Sequence, residues 1–278
     1  MWIFVFVIVF VAGVVVFYNI PYSRTLSDFR KSVDSRILNL KTQSDVFEEK
    51  DLVGLPAPVQ RFFRSCGYIG TPKMLYMKAS FQDVDFVMSE DKTIKINYTQ
   101  YNFVDKPERF AYIDSSIFGI PFEGFDSYGS GVGSMKGTLG KVIPLFNQKG
   151  ESMDKSSLVT ILAECFIVPS VALQDYISWE EIDDTHAKGI ITYYGISASG
   201  IFTFNETGEA VSFRTKDRTS VDMNGVVREA EWSAVYGGYK SNNGIKQARV
   251  LTSVWHYPEG DCVYFNQNKS EVVIEYFN

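Results

Sequence analysis

The sequence predicts an α+β fold: a large curved antiparallel sheet, half-barrel-like, packed on one or two helices and preceded by an N-terminal transmembrane helix. Three observations predict it. Residues 2–18 are apolar throughout and carry no charge. From about residue 73 the hydropathy alternates with period two, as in "TIKINYTQY", where Ile94, Ile96 and Tyr98 point one way and Lys95, Asn97 and Thr99 the other. One helical stretch, "DKSSLVTILAECFIVPS", interrupts the strands and carries Leu158, Ile161, Leu162, Cys165 and Phe166 at helical spacing.

Taken in order, residues 1–20 read as an uncleaved single-pass anchor. As a helix the segment reaches roughly 28 Å, close to the hydrocarbon thickness of a bilayer. The basic n-region and the small residues that a cleaved signal peptide needs are missing around "VFYNIPYSR". Arg24, Arg30, Lys31 and Arg36 follow the span and favour a cytoplasmic domain, a rule that weakens before a long domain. Residues 21–53 read as a juxtamembrane amphipathic helix, with Leu26, Phe29, Val33, Ile37 and Leu40 on one face, and a linker. Residues 54–278 form the β-rich domain. It opens with a short helix, "PAPVQRFFRSCG", that Pro58 suits at its first turn and Gly67 stops. Asp154 is the expected N-cap of the second helix, 154–168, and Pro169 its stop. Turns such as "NETGE", "DMNG", "SNNG" and "PEGD" separate the later strands, the spacing of a meander.

The composition excludes several classes of function. A net charge of −6 with interspersed signs leaves no basic stripe for nucleic acid. Cys66, Cys165 and Cys262 lie far apart, and His186 and His256 have no partner at metal-ligand spacing, so neither a metal nor another cofactor is expected. "GSGVGSMKGT" (129–138) resembles a phosphate loop, but Lys136 is flanked by Met135 and Gly137, and the segments on either side are strand-like. Its glycines are expected to bend the sheet.

Glu164 is the acid of most interest, since it sits on an otherwise apolar helix beside Cys165 and Phe166. It would be either a rim residue reaching water or a polar anchor in an apolar pocket. Trp179, Trp232, Tyr236 and Trp255 are the aromatic candidates; Trp232 and Tyr236 share one strand face, and Trp255 shares another with Leu251, Ser253 and Tyr257. Most such aromatics would be core, and on a curved sheet some would line a cavity. The acidic run "WEEIDD" reads as a solvated turn.

Several ordered blocks, "LPAPVQRFF", "DSYGSGVGSMKG", "ISWEEIDDTHAKGIITYYG" and "YGGYKSNNGIK" among them, resemble a bacterial domain-of-unknown-function family. That family pairs a membrane segment with an LPxPVxRYxR-type opening and a central WExxD element. The resemblance implies no activity. The strands ending in "FNETGE" also look like the half-barrels of LolA/LolB-like lipoprotein carriers, which implies a concave face for a lipid or acyl chain with the Glu164 helix as plug or lid. It also leans towards an extracytoplasmic domain. The leading expectation is a non-enzymatic, membrane-anchored domain binding an apolar ligand through Glu164, Trp179, Trp232, Tyr236 and Trp255. The alternative is a scaffold that docks another envelope protein. A hydrolase using Glu164 or Asp183 and Asp184 ranks last.

Overall fold

The computed structural model describes residues 2–89, 92–221 and 226–278; the expected "DMNG" turn lies outside them. Helix α1 (Trp2–Asn19) is apolar up to its last residue and buries no residue against the rest of the chain. By length and composition it can cross a membrane, a test that a signal sequence also passes. Helix α2 (Arg24–Leu38) starts at Ser23, whose hydroxyl accepts the Leu26 N–H, and buries Phe29 and Val33. Helix α3 (Ala57–Ser65) carries Pro58 in its first turn and ends before Gly67, whose φ of +79° is the left-handed conformation a glycine adopts freely.

Strands β1 (Tyr76–Ser89), β2 (Lys92–Phe103), β3 (Glu108–Ile117), β4 (Ile120–Gly129), β5 (Val132–Leu139) and β6 (Ile143–Lys149) form a meander. After helix α4 (Glu151–Ala163) come β7 (Ile177–Glu181), β8 (His186–Tyr193), β9 (Ile196–Phe204) and β10 (Ala210–Thr215). A small hairpin, β11 (Thr219–Val221) and β12 (Val227–Glu229), precedes β13 (Glu231–Gly237). A second, β14 (Lys240–Asn242) and β15 (Ile245–Gln247), precedes β16 (Val250–Tyr257), β17 (Gly260–Phe265) and β18 (Val273–Phe277). Outside these hairpins the strands make one 14-stranded antiparallel sheet, ordered β6-β5-β4-β3-β2-β1-β17-β16-β13-β10-β9-β8-β7, with β18 also on β1. The expected large antiparallel sheet with helices is therefore the observed one.

Alternation assigns the faces. Phe103, Phe110 and Phe125 on β2–β4 point outward and are covered by Phe29 and Val33 of α2. The other face wraps round α4, which packs on β5, β8 and β9. A Cβ on Gly133 would stand 2.5 Å from the Met153 carbonyl oxygen and 2.6 Å from Ser157 Oγ, so glycine there lets helix and sheet touch. The glycine-rich stretch is the β4–β5 hairpin, turning on Ser130 and Gly131 with φ of +52° and +81°.

The bounds of α4 differ from the expected ones. The helix starts at Glu151 behind Gly150, because the Asp154 carboxylate is taken by the Gly133 N–H at 2.6 Å and caps nothing. It ends at Ala163 with Glu164 as C-cap, and Pro169 opens a separate 3-10 turn, Pro169–Leu173.

Candidate functional site

Two clusters lie on the inner face beside α4. The first gathers round Glu164. Its Oε2 accepts hydrogen bonds from Gln100 Nε2 at 2.8 Å, Asn102 Nδ2 at 2.7 Å and Arg109 Nε at 2.9 Å. Arg109 Nη1 donates to Asp126 Oδ2 at 2.6 Å, and its Nη2 donates to the Tyr98 hydroxyl at 2.6 Å and Gln100 Oε1 at 3.1 Å. Gln100 and Asn102 sit two apart on β2, so period two puts both on the inner face with Tyr98. Burial opposes the charge on Arg109, but Glu164, Tyr98 and Asp126 outweigh it and hold the guanidinium well above its ordinary pKa. Glu164 is one half of a part-buried ion pair: Arg109 is buried, and the Glu164 side chain keeps 14% of its surface exposed.

The second cluster centres on Arg218. Trp232 and Trp255 are directly opposite each other on β13 and β16. The Arg218 guanidinium carbon lies 4.5 Å from the centroid of the first ring and 5.9 Å from that of the second, and Nη1 donates to Thr160 Oγ1 of α4. Among the described residues Arg218 makes no ion pair with a carboxylate. The Trp232 indole N–H donates to the Tyr264 hydroxyl at 3.1 Å. Tyr264 stacks on Trp255 and meets the edge of Phe86. Trp232 and Trp255 are 2% and 8% exposed, whereas Phe86, Tyr257 and Tyr264 around them stay half-buried.

Of the residues singled out from the sequence, the structure brings Trp232 and Trp255 together. Tyr236 lies further along the same strand and donates its hydroxyl proton to the Ala163 carbonyl, next to Glu164. Trp179 stands apart on β7, its ring on Phe166 and Phe202 and its N–H on the Ala172 carbonyl at 2.9 Å. The "WEEIDD" run is a structural clasp. Glu181 Oε2 accepts the Ala57 N–H at 3.0 Å, and the Asp184 carbonyl accepts from Arg61 at 2.7 Å, which ties the run to α3. Asp183 closes its own turn; the Thr185 N–H and the His186 side chain pull its pKa down to about 2.

Sequence reasoning missed Arg109 and Arg218. Arg109 had a signal, since a charge on the strand face of Ala111 and Ile113 needs a buried partner. Arg218 had none, because its tryptophans come from two later strands.

The model of a family of unknown function, DUF6544, matches residues 45–267. Comparison with proteins of curated function finds no match. Among solved structures the chain is similar to a LolA superfamily protein of Nitrosomonas europaea, with 8% identity and a TM-score of 0.40 over 79% of this chain and 93% of that one. It is also similar to a DUF1329 family protein of Desulfovibrio piger, with 11% identity and a TM-score of 0.32 over 81% and 92%. At these values neither likeness carries an argument about function. The family match covers most of the chain: it belongs to DUF6544, a family of unknown function.

Proposed function

We propose that this chain is a membrane-anchored, non-enzymatic domain that binds an anionic amphiphile, a lipid or acyl chain with a carboxylate or phosphate head, on the inner face of its sheet. The observation that carries the reading is Arg218, a half-buried guanidinium between two tryptophans with no carboxylate partner among the described residues. Its planar fork suits a carboxylate or phosphate, bound two-pronged. Half-buried Tyr264 stacks on Trp255, Phe86 meets Tyr264 edge-on, and these two rings would receive the apolar chain. Taking that surface out of water would contribute about 25 cal/mol per Å2. Trp232 and Trp255 form the wall of this site, while Glu164, Trp179 and Tyr236 hold α4 and the strands that frame it. Helix α1 is the anchor.

A scaffold that docks another envelope protein is the second reading, favoured by how completely Trp232 and Trp255 are packed. Native mass spectrometry of the full chain, purified from its own membranes, separates the two. A stoichiometric acidic lipid supports the proposal. Displacement of a fluorescent fatty acid then tests the site: Arg218→Gln should weaken binding about tenfold, the scale of one charge-assisted hydrogen bond. A chain free of lipid that also takes up no fatty acid would sink the ligand reading.

A further inference from the structure

The β3–β4 and β5–β6 turns lie side by side at one end of the sheet. The Gly140 N–H donates to the Pro121 carbonyl at 2.7 Å, and Lys92 Nζ, at the start of β2, stands 5.3 Å from the centroid of the Phe118 ring. The C-terminal end of α1 meets the same place. Lys141 Nζ donates to the Ile20 carbonyl at 2.6 Å, satisfying one of the carbonyls that a helix end leaves open. A Cβ on Gly140 would stand 3.1 Å from the Tyr18 hydroxyl, so the β5–β6 turn rests against α1.

The side chains at this end are apolar and uncovered. Phe118 is 94% exposed, Val142 67% and Ile143 56%. Phe118 and Gly119 form a two-residue turn with φ of +53° and +77°. Such a turn favours Asn-Gly or Gly-Gly, and a bulky aromatic in the left-handed region is an outlier there. An exposed Phe held in an unfavourable backbone conformation serves neither folding nor solubility.

We infer that these two turns are a membrane-contacting edge: Phe118, Val142 and Ile143 enter the interfacial layer of the bilayer that α1 crosses, with Lys92 and Lys141 at headgroup level. This rests on α1 being a span. Continuity selects the bilayer over a protein partner, because the apolar surface of α1 ends where the turns begin. Tyr18 and Tyr22 lie at that boundary, where amphipathic rings concentrate, and the lysine stems carry their ammonium groups towards anionic headgroups. The contact also fixes the tilt of the domain, which a single helix and a short connection would leave free.

Test it with the full chain in vesicles of phosphatidylcholine and phosphatidylglycerol. Single cysteines placed by Val142→Cys or Phe118→Cys in a Cys262→Ser background carry an environment-sensitive fluorophore; Tyr194→Cys is the solvent control. Quenching of the first two probes by spin-labelled lipid, at least several-fold stronger than at position 194, is the expected result. In a further variant, Phe118→Asn keeps the turn and removes the ring; with it, quenching at position 142 should fall while the fold persists. A chain that survives an alkaline wash with all three probes equally unquenched overturns the edge and leaves the anchor standing. A chain washed off the vesicles overturns both.

Discussion

Arg109 shows how one side chain commits a whole face. It sits on the same strand face as Ala111 and Ile113, and a lone buried charge there would cost several kcal/mol. Glu164 and Asp126 supply the counter-charge, and Gln100, Asn102 and Tyr98 occupy the remaining hydrogen-bonding positions. Arg109→Met should therefore destabilise the protein by about 3–5 kcal/mol in urea titration, since two carboxylates would face each other without a cation. Replacing Glu164 by Leu in the same chain should recover part of that loss, and purely additive costs would show that the two side chains act independently. Arg218 belongs to the same scale with a smaller expectation. Arg218→Gln gives up two cation–π contacts but strands no carboxylate, so it should cost about 1–2 kcal/mol of stability while ligand binding falls.

At the level of elements, the close approach of α4 to β5 is the contact that shapes the inner face. Gly133 is the residue that allows it, since a Cβ there would meet the Met153 carbonyl and the Ser157 hydroxyl of the helix. Gly133→Ala should cost about 1–3 kcal/mol in chemical denaturation, the range for overpacking a filled core. Gly237 on β13 is the control: no heavy atom lies within 4 Å of a Cβ there, and its alanine variant should stay within about 0.5 kcal/mol of the parent. Equal losses at both positions would assign the effect to backbone propensity and remove Gly133 from this role. Two sequence blocks also make sense as elements. "LPAPVQRFF" is α3 and "WEEIDD" is β7 with its turn; both reach Phe166, through Phe62 at 4.6 Å and Trp179 at 5.5 Å between ring centroids.

Across the whole molecule, the core holds acids that resist ionisation. Burial pushes the Cys66 thiol up to about 12, and the Tyr128 and Tyr276 hydroxyls likewise to about 12. Each folded-state value lies above the unfolded one, so the stability these groups contribute is complete below roughly pH 8.5 for the thiol and 10 for the phenols. It is lost as pH rises towards 12. The urea midpoint should hold to about pH 8 and fall steadily above pH 10, and a flat profile to pH 11 would contradict the burial of these groups. Thiol titration at pH 8 reads the same core from another side. The half-buried Cys262 should react first, with Cys66 and Cys165 silent until the chain unfolds.

How much of this was legible in the sequence depended on range. The apolar α1, the amphipathic face of α2, the proline and glycine that bound α3, and the alternation of Ile94, Ile96 and Tyr98 are local patterns, and local sterics and burial decide them. The pairing of Trp232 with Trp255, and their common strand faces, follow from the same period once the register is known. Only the tertiary structure decided that Glu164 meets Arg109, 55 residues away, or that Arg218 lies between two tryptophans. It alone brought Phe118 and Val142 to one end beside α1. Periodicity tells a side chain which face to take; which other side chain waits there is set by the order of strands in the sheet, and no local pattern encodes that order.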